Sequence, residues 1–156
     1  RKSKSSSNLE SSKKPRNAAD DASFKDMERI SIANTTRGKY PLLPFEHMKD
    51  AALGKKYELS LVFIGDARSR SLNLLHRSLD KPASILSFPL EKDAGEIFIN
   101  LALCKRRAKS LGYTFKEYFG YLFIHGLCHL KGLDHGSTMD AREKQLCKRF
   151  GIPYPS

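Results

Sequence analysis

The run from Phe115 to Leu130 (FKEYFGYLFIHGLCHL) restricts the fold more than any other segment. It is apolar nearly all the way round at helical spacing, and a helix without a polar face has to be buried. Its ends are marked. Thr114 and Glu117 have the spacing of a capping box, in which the two side chains satisfy the first free backbone N–H groups. Gly132 can take the left-handed conformation that stops a helix and turns the chain back. A chain of 156 residues fits one domain, or one domain with a tail. The rest of the sequence must therefore supply cover for this helix.

The cover is mixed in type. Ile30 to Asn34 alternates like a short strand. Pro44 suits the first turn of a helix running to about Leu53 and closed by Gly54. Tyr57 to Ile64 is rich in β-formers and predicts a strand. Asp66 can cap a helix reaching about His76. Ser84 to Ser87 and Glu96 to Asn100 predict two more short strands, separated by a loop of Pro, Asp and Gly. Residues 102 to 110 predict a helix that stops at Gly112, and Ser137-x-x-Asp140 has the look of a last helix start, running to about Phe150. No internal repeat is visible. Strands and helices interspersed in this way predict a single α/β domain over residues 23–156.

Ahead of it, residues 1–22 hold one large aliphatic side chain, Leu9, among Ser, Lys, Arg and Asn. Such a composition cannot offset the entropy of ordering and reads as a disordered basic tail. A nucleic-acid arm and a targeting segment are the other readings, although amphipathic periodicity is missing. The tail carries six basic and three acidic residues, so +8 of the chain's +11 net charge falls on the domain. A balance of 28 Lys and Arg against 17 acids points to a polyanionic partner. Charge alone does not separate RNA from DNA or an anionic membrane. No apolar run approaches the length of a membrane span. Three cysteines (Cys104, Cys128, Cys147) without paired spacing give no disulfide framework, which fits a reducing, cytoplasmic setting.

The buried helix carries chemistry at its end: His125-Gly-Leu-Cys-His129-Leu-Lys-Gly132-Leu-Asp134-His135. Residues four apart share a helix face, and the turn at Gly132 can return His135 to the same point. Three of the chain's five histidines fall within these eleven residues. A satisfied core histidine explains any one of them more easily than it explains the set. Three imidazoles on tetrahedral zinc leave a position for water, the catalytic rather than the structural pattern. His47 and His76 lack such a setting, and His47 reads as a surface residue. A closed site completed by Cys128 requires distortion, because on a helix Cys128 points about 80° away from the midpoint of His125 and His129. Cys128 reads better as a small buried hydrophobe. Metzincin peptidases share the histidine spacing but place their general-base Glu directly after the first His. Gly126 stands there, which counts against proteolysis.

The run HGLCHLKGLDH resembles the signature of the YbeY family of ribosomal-RNA maturation factors. Upstream, Leu72-Asn73 through Arg77 and Asp80 resembles the family's Leu-Asn…Arg…Asp stretch. Ile85-Leu86-Ser87-Phe88-Pro89 resembles its Val-Leu-Ser-Phe-Pro element, and Gly95-Glu96-Ile97 its Gly-Asp/Glu-Ile strand entry. The resemblance spans roughly residues 28 to 152. It departs at Ala83-Ser84, where Thr-Asp or Thr-Asn is usual, at His76, where Tyr is common, and in the basic tail. It implies a small mixed, mostly parallel four-stranded sheet packed with helices, and an electropositive groove leading to the metal. It also implies a single-strand-specific, zinc-dependent endoribonuclease that acts on ribosomal RNA of the small subunit, in maturation of its 3′ end and in ribosome quality control.

The residues support that chemistry. One Zn2+ on His125, His129 and His135 keeps its +2 charge uncompensated, suits a phosphodiester, and lowers the pKa of bound water toward ~7. The candidate catalytic groups are His125, through the zinc-bound water, and Arg77, whose guanidinium fork can hold a phosphate and stabilise developing charge. Asp134 can orient a ligand histidine from behind or simply stabilise the turn. The general base is open. Two other classes compete: a non-catalytic zinc-containing ribosome-assembly factor and, disfavoured by Gly126, a metzincin-like peptidase.

Overall fold

The computed structural model describes residues 29–133 and 135–155. The expected basic tail, the first six residues assigned to the domain and Asp134 lie outside the described residues. Four strands and five helices follow in the order β1 (Ile30–Asn34), α1 (Phe45–Leu53), β2 (Glu58–Ile64), α2 (Asp66–Arg77), β3 (Ile85–Glu91), β4 (Ala94–Asn100), α3 (Leu101–Leu111), α4 (Phe115–Leu130) and α5 (Ser137–Arg149). The sheet order is β1-β2-β4-β3. β1, β2 and β4 are parallel, and β3 pairs antiparallel at the edge. A parallel pair needs a long crossover, supplied between β1 and β2 by the segment holding α1. The described residues form the single α/β domain expected from the element order, with the mixed, mostly parallel sheet that the resemblance implies.

α4 is the buried helix. Thr114 Oγ1 accepts from the Glu117 N–H at 3.1 Å, and Glu117 Oε1 accepts from the Thr114 N–H at 2.9 Å, closing the capping box. Phe119, Phe123, Ile124 and Leu127 are fully buried against Leu61, Phe63, Ile97 and Ile99 of the sheet. Each such side chain contributes roughly 1.5–3 kcal/mol on burial. Alternate residues of a strand face opposite sides. Val62 and Phe98 accordingly join Leu72 of α2 in a smaller cluster on the other face. Leu72 and Asn73 divide the work at that face: Leu72 packs into the cluster, while Asn73 Nδ2 donates to the Lys81 carbonyl at 2.9 Å and pins the following loop.

Two local expectations are corrected. The loop expected between the last two strands is only the turn Lys92–Asp93, because Pro89 and Gly95 both belong to strands. Pro89 is tolerated because β3 is an edge strand, with a register shift between Pro89 and Glu91. Gly95 passes so close to Tyr57 and Leu130 that a Cβ would meet the Tyr57 hydroxyl. Asp66 does not cap α2. It is the first helical residue, after Gly65, and its carboxylate instead accepts from Asn100 Nδ2 at 2.8 Å and from Arg106 at 3.1 Å. The helix start expected at Ser137 is where α5 begins, but Gly136 at φ 148 precedes it and no side chain caps it.

A candidate metal centre in a cationic cavity

The last turn of α4 sets the geometry. The Gly132 N–H donates to the His129 carbonyl at 2.9 Å and the Leu133 N–H to the Cys128 carbonyl at 3.2 Å. Those paired bonds form a Schellman end, which needs a left-handed residue, and Gly132 supplies it at φ 92. Leu133 then packs against the core, so the chain doubles back and presents His135 to the face that carries His125 and His129. Ring centroids of the three imidazoles lie 4.6, 5.0 and 5.5 Å apart. One ring nitrogen from each falls within 4.8 Å of the others. His125 and His129 are half-buried and His135 is exposed.

This set fits a divalent cation. The Nε2 atoms of His125 and His129 stand 3.1 Å apart, near the ~3.3 Å that two nitrogens on tetrahedral zinc would span. Burial, followed by the fields of His125 and His135, holds the His129 pKa below its usual value, which favours the neutral ring a metal requires. Cys128 stays out of the group. It is buried in the core, where burial pushes its thiol up to about 11.

Sequence reasoning missed Glu143. This residue of α5 is 2% exposed, and its Oε2 lies 2.5 Å from His125 Nδ1. A carboxylate accepts, so the ring proton sits on Nδ1 and the Nε2 lone pair faces the other histidines. A signal for it existed. Met139, Glu143, Leu146 and Cys147 form the buried stripe of an otherwise polar helix, and an acid within such a stripe is seldom buried unless it is paired.

The histidines open into a cavity of about 550 Å³ whose lining also includes Arg77, Lys81, Ser84 and Arg107. No carboxylate lines it among the described residues. Arg77, the last residue of α2, therefore shares a cavity with the triad, and its charge acts on His129. His47 and His76 are elsewhere: His47 is exposed, and His76 is exposed against Phe88, with ring centroids 4.6 Å apart. Gly126 faces the sheet, where a Cβ would lie 2.8 Å from Ile85 Cδ1 and 3.0 Å from Ser87 Oγ.

The family model described as endoribonuclease YbeY matches residues 27–151. The chain belongs to the YbeY endoribonuclease family. Among YbeY relatives, the Campylobacter jejuni endoribonuclease is 38% identical over 109 residues, covering 65% of this chain and 81% of the relative. That of Halalkalibacterium halodurans is 30% identical over 152 residues, covering 81% and 96%. The solution structure of TM1509 from Thermotoga maritima has the same fold, with a TM-score of 0.58 at 24% identity, over 78% of this chain and 88% of that one. For a YbeY nuclease, the close seating of Gly126 has a chemical meaning. The position that holds the general base in metzincins faces the sheet here, where even a Cβ would press on the side-chain ends of Ile85, Ser87 and Ile97.

Proposed function

We propose that this YbeY-family chain is a single-strand-specific, zinc-dependent endoribonuclease. The observation that carries the reading is the convergence of three imidazole nitrogens on a cavity lined by three cationic side chains and no carboxylate among the described residues. His125, His129 and His135 hold the ion, with Glu143 fixing the ring of His125. When bound, zinc supplies Lewis acidity toward a phosphoryl oxygen and acidifies water. Arg77 binds and orients the phosphate to be cleaved and stabilises the charge that develops on it. In this reading the substrate is ribosomal RNA of the small subunit, cut in maturation of its 3′ end and in ribosome quality control, in the cytoplasm. Asp134, next to His135, serves to orient that ligand.

The test measures zinc content, melting temperature and cleavage of single-stranded RNA on one preparation each of the wild type, His129→Ala and Arg77→Ala. His129→Ala is expected to lose most of its zinc and its cleavage. Arg77→Ala should keep zinc and stability while cleaving ~10²–10³-fold more slowly, the usual cost of one transition-state donor. Unchanged cleavage in both variants would trace the activity to another nuclease and leave a non-catalytic, zinc-containing ribosome-assembly factor.

A further inference from the structure

The tandem arginines of α3 have different fates. Arg106 turns toward α2, where Asp66 takes its guanidinium at 3.1 Å from both carboxylate oxygens. Arg107 stands about 100° further round the helix and reaches a different partner. Its Nη1 donates to Ser84 Oγ at 3.4 Å, and it lines the cavity of the histidines. It has no carboxylate partner among the described residues, whereas Arg70 and Arg106 are each ion-paired. The ground beneath it is fixed. Asn73 holds the Lys81 carbonyl, and the Ser69 hydroxyl bonds both the N–H and the carbonyl of Ala83, at 2.7 and 2.6 Å. Ser84 itself is 7% exposed. Lys81 adds a second charge on the same wall.

We propose that Arg107, Ser84 and Lys81 form a second phosphate subsite, which binds a backbone phosphodiester of single-stranded RNA next to the one held by Arg77 at the histidines. The inference rests on the endoribonuclease reading and deepens it. A cavity of about 550 Å³ is within the range that holds a drug-sized ligand, ~300–1,000 Å³, so it has room for more than an ion and one phosphate. A guanidinium without a carboxylate partner suits a phosphate oxygen, because its fork matches that geometry and no competing acid must be displaced. The neutral hydroxyl of Ser84 orients the fork without cancelling its charge. This subsite positions the strand and takes no part in bond breaking.

The experiment measures binding of a short, fluorescently labelled 2′-O-methyl single-stranded oligonucleotide to the zinc-loaded protein across a salt series. Wild type, Arg107→Ala and Arg106→Ala are compared. Both substitutions remove one positive charge from an exposed position of the same helix, so a general field effect would treat them alike. Arg107→Ala is expected to weaken binding about tenfold to a hundredfold, as for one charged hydrogen-bonding group. It should also make the slope of log K against log salt shallower by ~0.7, the value for one phosphate contact on a single strand. Arg106→Ala should leave that slope unchanged. Zinc content and melting temperature should not move in Arg107→Ala. If the wild type binds and Arg107→Ala matches Arg106→Ala in affinity and slope, the subsite is overturned while the endoribonuclease reading stands. A wild type that binds no single strand overturns both.

Discussion

Glu143 does for His125 what no neighbour in sequence could. Its oxygen, 2.5 Å from Nδ1, fixes the ring's tautomer and rotation, and partners of this kind typically contribute 10–100-fold to metal affinity. Glu143→Ala is therefore expected to weaken zinc binding by about that factor, measured by competition with a chromophoric chelator. Glu143→Gln should recover part of the loss, because an amide oxygen still accepts from Nδ1–H. Equal zinc affinity in wild type and Glu143→Ala would remove this role. The histidines are legible in the sequence because their own spacing encodes one face and one turn. Glu143 is far less legible, since it reaches His125 from a different helix and only its place in an apolar stripe betrays it. Arg77 is legible through family resemblance, and Arg107 reads as one more basic residue until α3 is packed.

Among the elements, α4 depends on how deeply it seats on the sheet. Gly126 permits that depth, since a Cβ there would meet the side-chain ends of Ile85, Ser87 and Ile97. Gly126→Ala is expected to cost about 1–3 kcal/mol, the usual cost of overpacking, and chemical denaturation checks it. Gly126→Glu, which restores the metzincin residue, should be far more disruptive and yield no peptidase. The junction of α2, β4 and α3 gives a pH signature. The Asn100 amide, followed by Arg106, holds the Asp66 pKa below the usual carboxylate value. A group whose folded value is lowered stabilises the protein above its unfolded value, near ~3.9. That contribution fades as the pH falls toward the folded value. Asp66→Asn should therefore flatten the loss of stability with acid below about pH 4. The effect should be small, because the pair is about half exposed. An unaltered acid limb would show that the carboxylate gains nothing there. The sequence shows Asp66 before a helix and favours a cap; its partners lie at the end of the neighbouring strand and in the helix after it, beyond what local spacing can report.

At the scale of the whole molecule, the family match starts at residue 27, and the composition of residues 1–22 offers a core almost nothing to pack. Deleting them should change stability by no more than ~0.5 kcal/mol, with zinc content intact. A cooperative drop in melting temperature would show that they pack after all. The architecture as a whole is legible because one helix without a polar face forces layers around it. The pairing of β3 is not, since Pro and Gly normally signal a loop, and only the completed sheet makes room for both in strands. That pairing has a consequence for what the molecule can hold. An edge strand beside a metal centre is a template on which an extended polypeptide can be laid, N–H to carbonyl. Pro89 offers no N–H, and the irregularity that follows it bends the strand out of register. The half of β3 beyond the cavity-lining residues Ile85 to Phe88 is thus poorly suited to lengthening the sheet with a foreign chain, and a strand laid along this edge would have to stop short of its end.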